Sequence, residues 1–135
     1  MMIHGIGIDI VEVDRVGKSI ERLGDKFLDR IFTEGEQAYC QSMGEMAARH
    51  FAARFAAKEA ISKTLGTGIA GDVSWVEMEI VRDKRGQPHV VLHGATKAYV
   101  EGRGITQIQI SLTHTESAAA ASAVAVGQIS ATVSE

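Results

Sequence analysis

The chain has 135 residues, 45% of them apolar and 23% charged, with a formal net charge of −3. That length suits one domain with a small core, and the slight negative balance speaks against wholesale nucleic-acid binding. The one cysteine, Cys40, excludes an internal disulfide framework and a cysteine-based zinc site within one chain. No apolar run reaches membrane-span length and the start lacks a signal-peptide layout, so a soluble cytoplasmic protein with no membrane role is expected.

Residues Ile3 to Val13 read as a strand: Ile6, Ile8 and Ile10 alternate with Gly5, Gly7 and Asp9, which places the isoleucines on one face and Asp9 on the other. The two glycines beside Asp9 are expected to leave space around its carboxylate. Asp14 is the expected N-cap of a short helix, Arg15 to Leu23, that stops at Gly24. Phe27 to Phe32 suggests another helical turn, and Thr33 with Glu36 is a capping-box pattern for a helix ending before Gly44. Met46 to Leu65, with no Gly or Pro and Gly66 after it, is the strongest helix. Beyond a glycine-rich connection, Trp75 to Val81 alternates as a strand, residues 84–88 form a hairpin turn, and His89 to Leu92 returns. Ala95 to Glu101 is an expected short helix, followed by strands at 107–113 and 118–126. The expected fold is α+β, a small antiparallel sheet packed on one long helix. Residues 1–127 form the domain, and 128–135 a small polar tail expected to fray.

Three segments carry candidate chemistry. Asp9 sits inside an otherwise apolar strand, where a charge needs compensation; a structural partner or a hard divalent cation would each supply it. On the long helix, residues four apart are neighbours, so Phe51, Phe55, Glu59 and Lys63 share a row with Arg54, Lys58 and Ser62 beside it. Arg49, Arg54, Lys58 and Lys63, opposed only by Glu59, read as a basic patch for a phosphate-rich ligand, and Glu59 with Lys63 either as a metal ligand beside a phosphate contact or as a surface Glu–Lys helix pair. Ser111 to Ser117 places His114 between hydroxyl residues, as an anion contact or a polar hairpin tip. Arg15, Lys18 and Arg22 make a basic stripe at helical spacing.

In this order, GIGIDIVEVDR, FAARFAAKEAISKTLGTGI and SLTHTESAAAASAVA resemble the holo-acyl-carrier-protein synthase family of phosphopantetheinyl transferases. Between them, DVSWVEMEI and the Gly86-Gln87-Pro88 turn are similar to the family as well. The sequence departs from the family at Ile8, where threonine is frequent, and at Glu116, where a basic or neutral residue is common.

The resemblance implies transfer of 4′-phosphopantetheine from coenzyme A to a serine of acyl carrier protein, in support of fatty acid biosynthesis. It implies Mg²⁺ held by Asp9 and Glu59, and coenzyme A phosphates met by Arg54, Lys63, His114 and Thr115. It implies a carrier surface at Arg15, Lys18 and Arg22, and a homotrimer with three sites at subunit interfaces. Phosphoryl transfer depends mainly on alignment and charge neutralisation, so Lys63 would stabilise the leaving nucleotide and Glu59 is the candidate base. Two other readings stay open: a Mg²⁺-dependent nucleotide hydrolase using the same Asp, Glu and Lys, and a non-catalytic module that binds carrier protein.

Overall fold

The computed structural model describes residues 1–129. Five strands and five helices follow in the order β1 (Met2–Glu12), α1 (Val13–Leu23), α2 (Asp25–Ile31), α3 (Glu34–Gln41), α4 (Ala47–Leu65), β2 (Met78–Arg82), β3 (Pro88–Leu92), α5 (Gly94–Gly102), β4 (Ile105–His114) and β5 (Ala118–Gly127). The strands make a three-stranded antiparallel sheet, β1-β5-β4, and a separate β2–β3 hairpin. The α+β reading holds, with two small sheets rather than one. Of the tail expected to fray, residues 130–135 lie outside those described; Gln128 is tethered, its amide donating to the Gly104 carbonyl at 3.0 Å.

Small side chains let the sheet and α4 approach closely. On β5, Ala119, Ala121, Ala123 and Ala125 point inward and are buried, the last three in one cluster with Ala56, Ala57, Ala60 and Ile61 of α4 and Ala119 in another with Ala52 and Ala53. On β1, a Cβ placed on Gly7 would collide with the Ala60 carbonyl, and one on Gly5 with the Thr64 carbonyl. These glycines therefore admit the helix backbone, instead of opening room around Asp9 as expected from the sequence. A second cluster packs α1, α2 and α3 on the start of α4 through Val16, Leu28, Ile31, Phe32 and Phe51. Helix α4 is covered on most sides, which explains why its sequence lacks a clean polar face.

Lys58, expected in the basic patch, is fully buried. Its ammonium donates to Glu36 Oε1 at 2.7 Å, to the Ile31 carbonyl at 2.6 Å and to the Trp75 carbonyl at 3.0 Å. Glu36 Oε2 accepts from the Ile80 amide at 2.7 Å, and Oε1 also accepts from the Thr33 amide at 2.8 Å, completing the capping box of α3. One pair thus ties α2, α3, α4 and β2 together. The strand expected from Trp75 begins at Met78, because residues 75–77 form a 3₁₀ turn. There the Trp75 carbonyl serves the Lys58 ammonium, and the indole stacks on Phe55 at 5.0 Å between centroids.

Helix α1 starts at Val13, and Asp14 is not its cap. The Val13 amide is satisfied from across the fold by the Ser117 carbonyl at 3.0 Å, which removes the need for a side-chain acceptor. That bond fixes the turn from β1 into α1, and with it the position of Arg15 relative to Asp9.

Candidate active site

Where β1 hands over to α1, a cleft of about 760 Å³ opens against α4. Strand alternation turns Asp9 inward, away from the exposed Ile8 and Ile10. The four-residue repeat of α4 brings Phe55, Glu59 and Lys63 to the same cleft, and Arg15 and Phe27 close it from α1 and α2. Lys63 donates from Nζ to Asp9 Oδ1 at 3.0 Å and to the Ile8 carbonyl at 3.0 Å. Its side chain is half exposed while that of Asp9 is largely covered. Burial raises the Glu59 carboxyl above its usual range; the Asp9 charge adds to the rise and Lys63 opposes it. Asp9 and Glu59 therefore share a partly dry cleft with the Lys63 ammonium, and Glu12 and Arg15 also line it.

Arg15, Lys18 and Arg22 are all exposed on α1. None takes part in an ion pair among the described residues. Only Arg15 reaches the cleft, and the other two continue its charge outward along the helix.

Arg54, His114 and Thr115 do not line this cleft. Arg54 is buried on another side of α4, its guanidinium 4.4 Å from the Tyr39 ring centroid. His114, at the end of β4, meets the buried His50 edge-on at 5.0 Å between ring centroids. Thr115 caps the β4–β5 turn: its Oγ1 accepts from the Ala118 amide at 3.1 Å and the Ser117 amide at 3.3 Å. The segment is thus a hairpin tip with a histidine at its base. Sequence reasoning did not single out His50 or Arg82, whose guanidinium also faces Tyr39, at 5.5 Å. His50 stands one helical turn before Arg54, and that spacing was the available signal.

The model of the 4′-phosphopantetheinyl transferase superfamily matches residues 5–122. The chain belongs to that superfamily. It is 49% identical over 123 residues to a holo-[acyl-carrier-protein] synthase of Koribacter versatilis, covering 91% of this chain and 98% of the relative. Among solved structures, it is similar to the holo-[acyl-carrier-protein] synthase from Neisseria meningitidis, with a TM-score of 0.86, 36% identity, and 93% of this chain and 99% of that one covered. A holo-(acyl-carrier-protein) synthase from Bacillus anthracis, solved in complex with CoA (3′,5′-ADP), gives a TM-score of 0.78 at 36% identity, covering 95% of this chain and 100% of the other. The cleft brings together acidic, basic and apolar side chains from three helices, β1 and β5.

Proposed function

We propose that this protein transfers 4′-phosphopantetheine from coenzyme A to a serine hydroxyl of apo-acyl carrier protein, releasing adenosine 3′,5′-bisphosphate, in support of fatty acid biosynthesis. The carrying observation is the cleft itself, with Asp9, Glu59 and Lys63 at one end and the basic face of α1 leading away from the other. In the reaction, the serine Oγ attacks the phosphorus that bears the pantetheine arm, and the pyrophosphate bond to the nucleotide breaks. Lys63 meets the charge that develops on the leaving phosphate. Glu59 receives the hydroxyl proton, a role suited by its raised carboxyl. Incubation with coenzyme A, Mg²⁺ and apo-carrier, followed by weighing the carrier, tests the reading.

Magnesium fits the donor set. Asp9 and Glu59 project from different elements into the same cleft, and the Asp9 charge already disfavours ionised Glu59. Mg²⁺ is commonly bound by one or two carboxylates, with water and substrate phosphate oxygens completing its shell. Among the described residues no three His, Cys, Asp or Glu side chains are placed to hold a metal together, so the donor pyrophosphate would supply part of that shell. When bound, the cation neutralises pyrophosphate charge.

The assembly we propose is a homotrimer with sites at its subunit boundaries. Ile6, Ile8 and Ile10 stand 72%, 70% and 71% exposed in a row on the outer face of β1, an apolar stripe of the kind that marks contacts between proteins. Arg54, His114 and Thr115 lie outside their own cleft, in keeping with service to a donor shared between subunits. Ile8→Asp is expected to lower the mass measured by sedimentation to that of a monomer and to abolish transfer. An unchanged sedimentation mass would remove the stripe from the interface. A cytoplasmic setting accords with the free, buried Cys40 and with the lack, among the described residues, of any helix long and apolar enough to cross a membrane.

The basic stripe is assigned to the carrier. An acidic partner surface would be steered to Arg15, Lys18 and Arg22, bringing its serine to the Arg15 end. Reversing Arg15 and Arg22 to Glu is expected to raise KM for carrier at least about tenfold while changing KM for coenzyme A little. Added salt should raise the wild-type KM for carrier through screening. Equal losses for both substrates would show that the stripe serves the donor or the fold.

A further inference from the structure

Lys63 holds two posts in the cleft. The transfer reaction assigns its ammonium to the leaving phosphate, yet that ammonium donates to Asp9 Oδ1 at 3.0 Å and to the Ile8 carbonyl at 3.0 Å. The Asp9 side chain is 16% exposed and that of Lys63 is 53% exposed. Among the described residues, this is the only ion pair made by an acidic group of the cleft. Glu12 and Glu59 have none, and Arg15, which lines the same cleft, pairs with nothing.

We propose that Lys63 is a placeholder for the divalent cation: it neutralises Asp9 until a cation takes that carboxylate, and its released ammonium then turns to the pyrophosphate of the donor. The inference rests on the magnesium and coenzyme A reading above. It adds an order to that reading, in which cation and donor bind cooperatively through one side chain.

The ammonium is held in a way that lets it leave. Its second acceptor, the Ile8 carbonyl, is neutral, so the charge of Asp9 is what retains it. Half of the side chain is in water, its four-carbon stem is flexible, and ion pairs as exposed as this are individually weak. A divalent cation on Asp9 would face the ammonium with like charge across one carboxylate, in a partly dry cleft where the repulsion is poorly screened. The stem rises from α4 one turn after Glu59, so a swing off Asp9 leaves Nζ beside the same cleft. There the positive charge remains available to a phosphate. By linkage, whatever donor binding gains from a released Lys63, cation binding gains from the donor.

Binding of Mn²⁺, an oxygen-binding divalent cation whose free form is counted by electron paramagnetic resonance, reads this directly. The purified protein is titrated with and without coenzyme A, and no carrier is present. Lys63→Met keeps the stem and removes the charge. It is expected to bind Mn²⁺ alone about fivefold tighter than wild type, the upper range of an exposed ion pair that no longer has to be broken. It should bind coenzyme A at least about tenfold more weakly, the scale of one charge-assisted hydrogen bond, and coenzyme A should tighten its Mn²⁺ binding by a smaller factor than in wild type. Lys63→Arg, whose planar fork grips a carboxylate more firmly, should bind Mn²⁺ alone more weakly than wild type. One position would then move the affinity in both directions, which a merely structural role does not do. Arg15→Met removes a charge of the same cleft that is not paired with Asp9, and should change Mn²⁺ affinity by less than about twofold. Thermal melts establish that the variants fold. Mn²⁺ affinity unchanged or weakened in Lys63→Met, or raised equally in Arg15→Met, would overturn the proposal. Asp9→Asn separates it from the reading beneath it. If that variant loses Mn²⁺ while Lys63→Met matches wild type, the metal reading stands and the placeholder alone fails; if Asp9→Asn binds Mn²⁺ as wild type does, both fail.

Discussion

Glu59→Gln is expected to reduce phosphopantetheine transfer by on the order of a thousandfold, the scale on which a lost electrostatic partner of a transition state is felt, with the fold no less stable than before. The two halves of this expectation share a cause. Glu59 is held near Asp9 in a partly dry cleft, and its carboxyl is raised by burial and then by that charge. A carboxylate whose folded pKa lies above its unfolded value costs stability at neutral pH, and the cost disappears as pH falls through the folded pKa. Glutamine removes the charge and the strain together, so its melting temperature should match or exceed wild type while turnover collapses. Asp9→Asn should lose activity to a similar degree; its partner Lys63 is half exposed and can turn to solvent. The same shift predicts an acid limb in kcat/KM for coenzyme A at a pH above that of an ordinary glutamate. Raising Mg²⁺ should push the limb lower, because cation and proton compete for the carboxylate. Turnover within a few-fold of wild type in Glu59→Gln would remove Glu59 from the chemistry.

The second large effect concerns stability. Glu36→Ala would strand the Lys58 ammonium in the core with only the Ile31 and Trp75 carbonyls. Burial already disfavours the charged form of Lys58, and Glu36 is the main force against it. Breaking one side of such a pair costs about 3–5 kcal/mol, a large part of the roughly 5–15 kcal/mol that holds a domain of this kind together. The melting temperature should fall by roughly 10–25 °C. Replacing both partners, Glu36→Leu with Lys58→Met, should recover much of the loss, since well-packed apolar pairs substitute for buried ion pairs. A urea titration of wild type and the two variants decides it; Glu36→Ala within about 1 kcal/mol of wild type would show the pair to be dispensable.

Much of this was legible where local rules coincide with tertiary ones. Helix α4 lies within a residue of its expected bounds, because propensity, length and Gly66 all agree. The capping box of α3 formed as its Thr33-Glu36 spacing indicated. The inward turn of Asp9 and the row on α4 followed from periodicity and place Asp9, Phe55, Glu59 and Lys63 at the cleft, while Phe51, at the head of the same row, is buried among the helices instead. What was not legible depends on distant partners. The capping glutamate is also the counter-ion of a lysine 22 positions later, and nothing local to Lys58 separates a buried ammonium from a surface one. The β1 glycines answer to carbonyls on α4, the first turn of α1 to a carbonyl on the β4–β5 turn, and Trp75 to both Lys58 and Phe55. The split between the cleft and the Arg54–His114 side of α4 was signalled only by the helical spacing that sets Arg54 beside the Phe55–Glu59–Lys63 row. Arg54 and Phe55 are sequence neighbours, yet the helical turn sends one beneath Tyr39 and the other into the cleft.

The mass of a carrier protein tests the central claim most directly. Purified protein, coenzyme A, Mg²⁺ and apo-acyl carrier protein are incubated together, and the carrier is weighed by mass spectrometry. The expected result is a gain of one phosphopantetheine group, matched by release of adenosine 3′,5′-bisphosphate and absent when the acceptor serine is replaced by alanine. Coenzyme A cleaved with the carrier mass unchanged would make water the acceptor and the protein a hydrolase. An unchanged carrier with intact coenzyme A would contradict catalysis and leave a binding module.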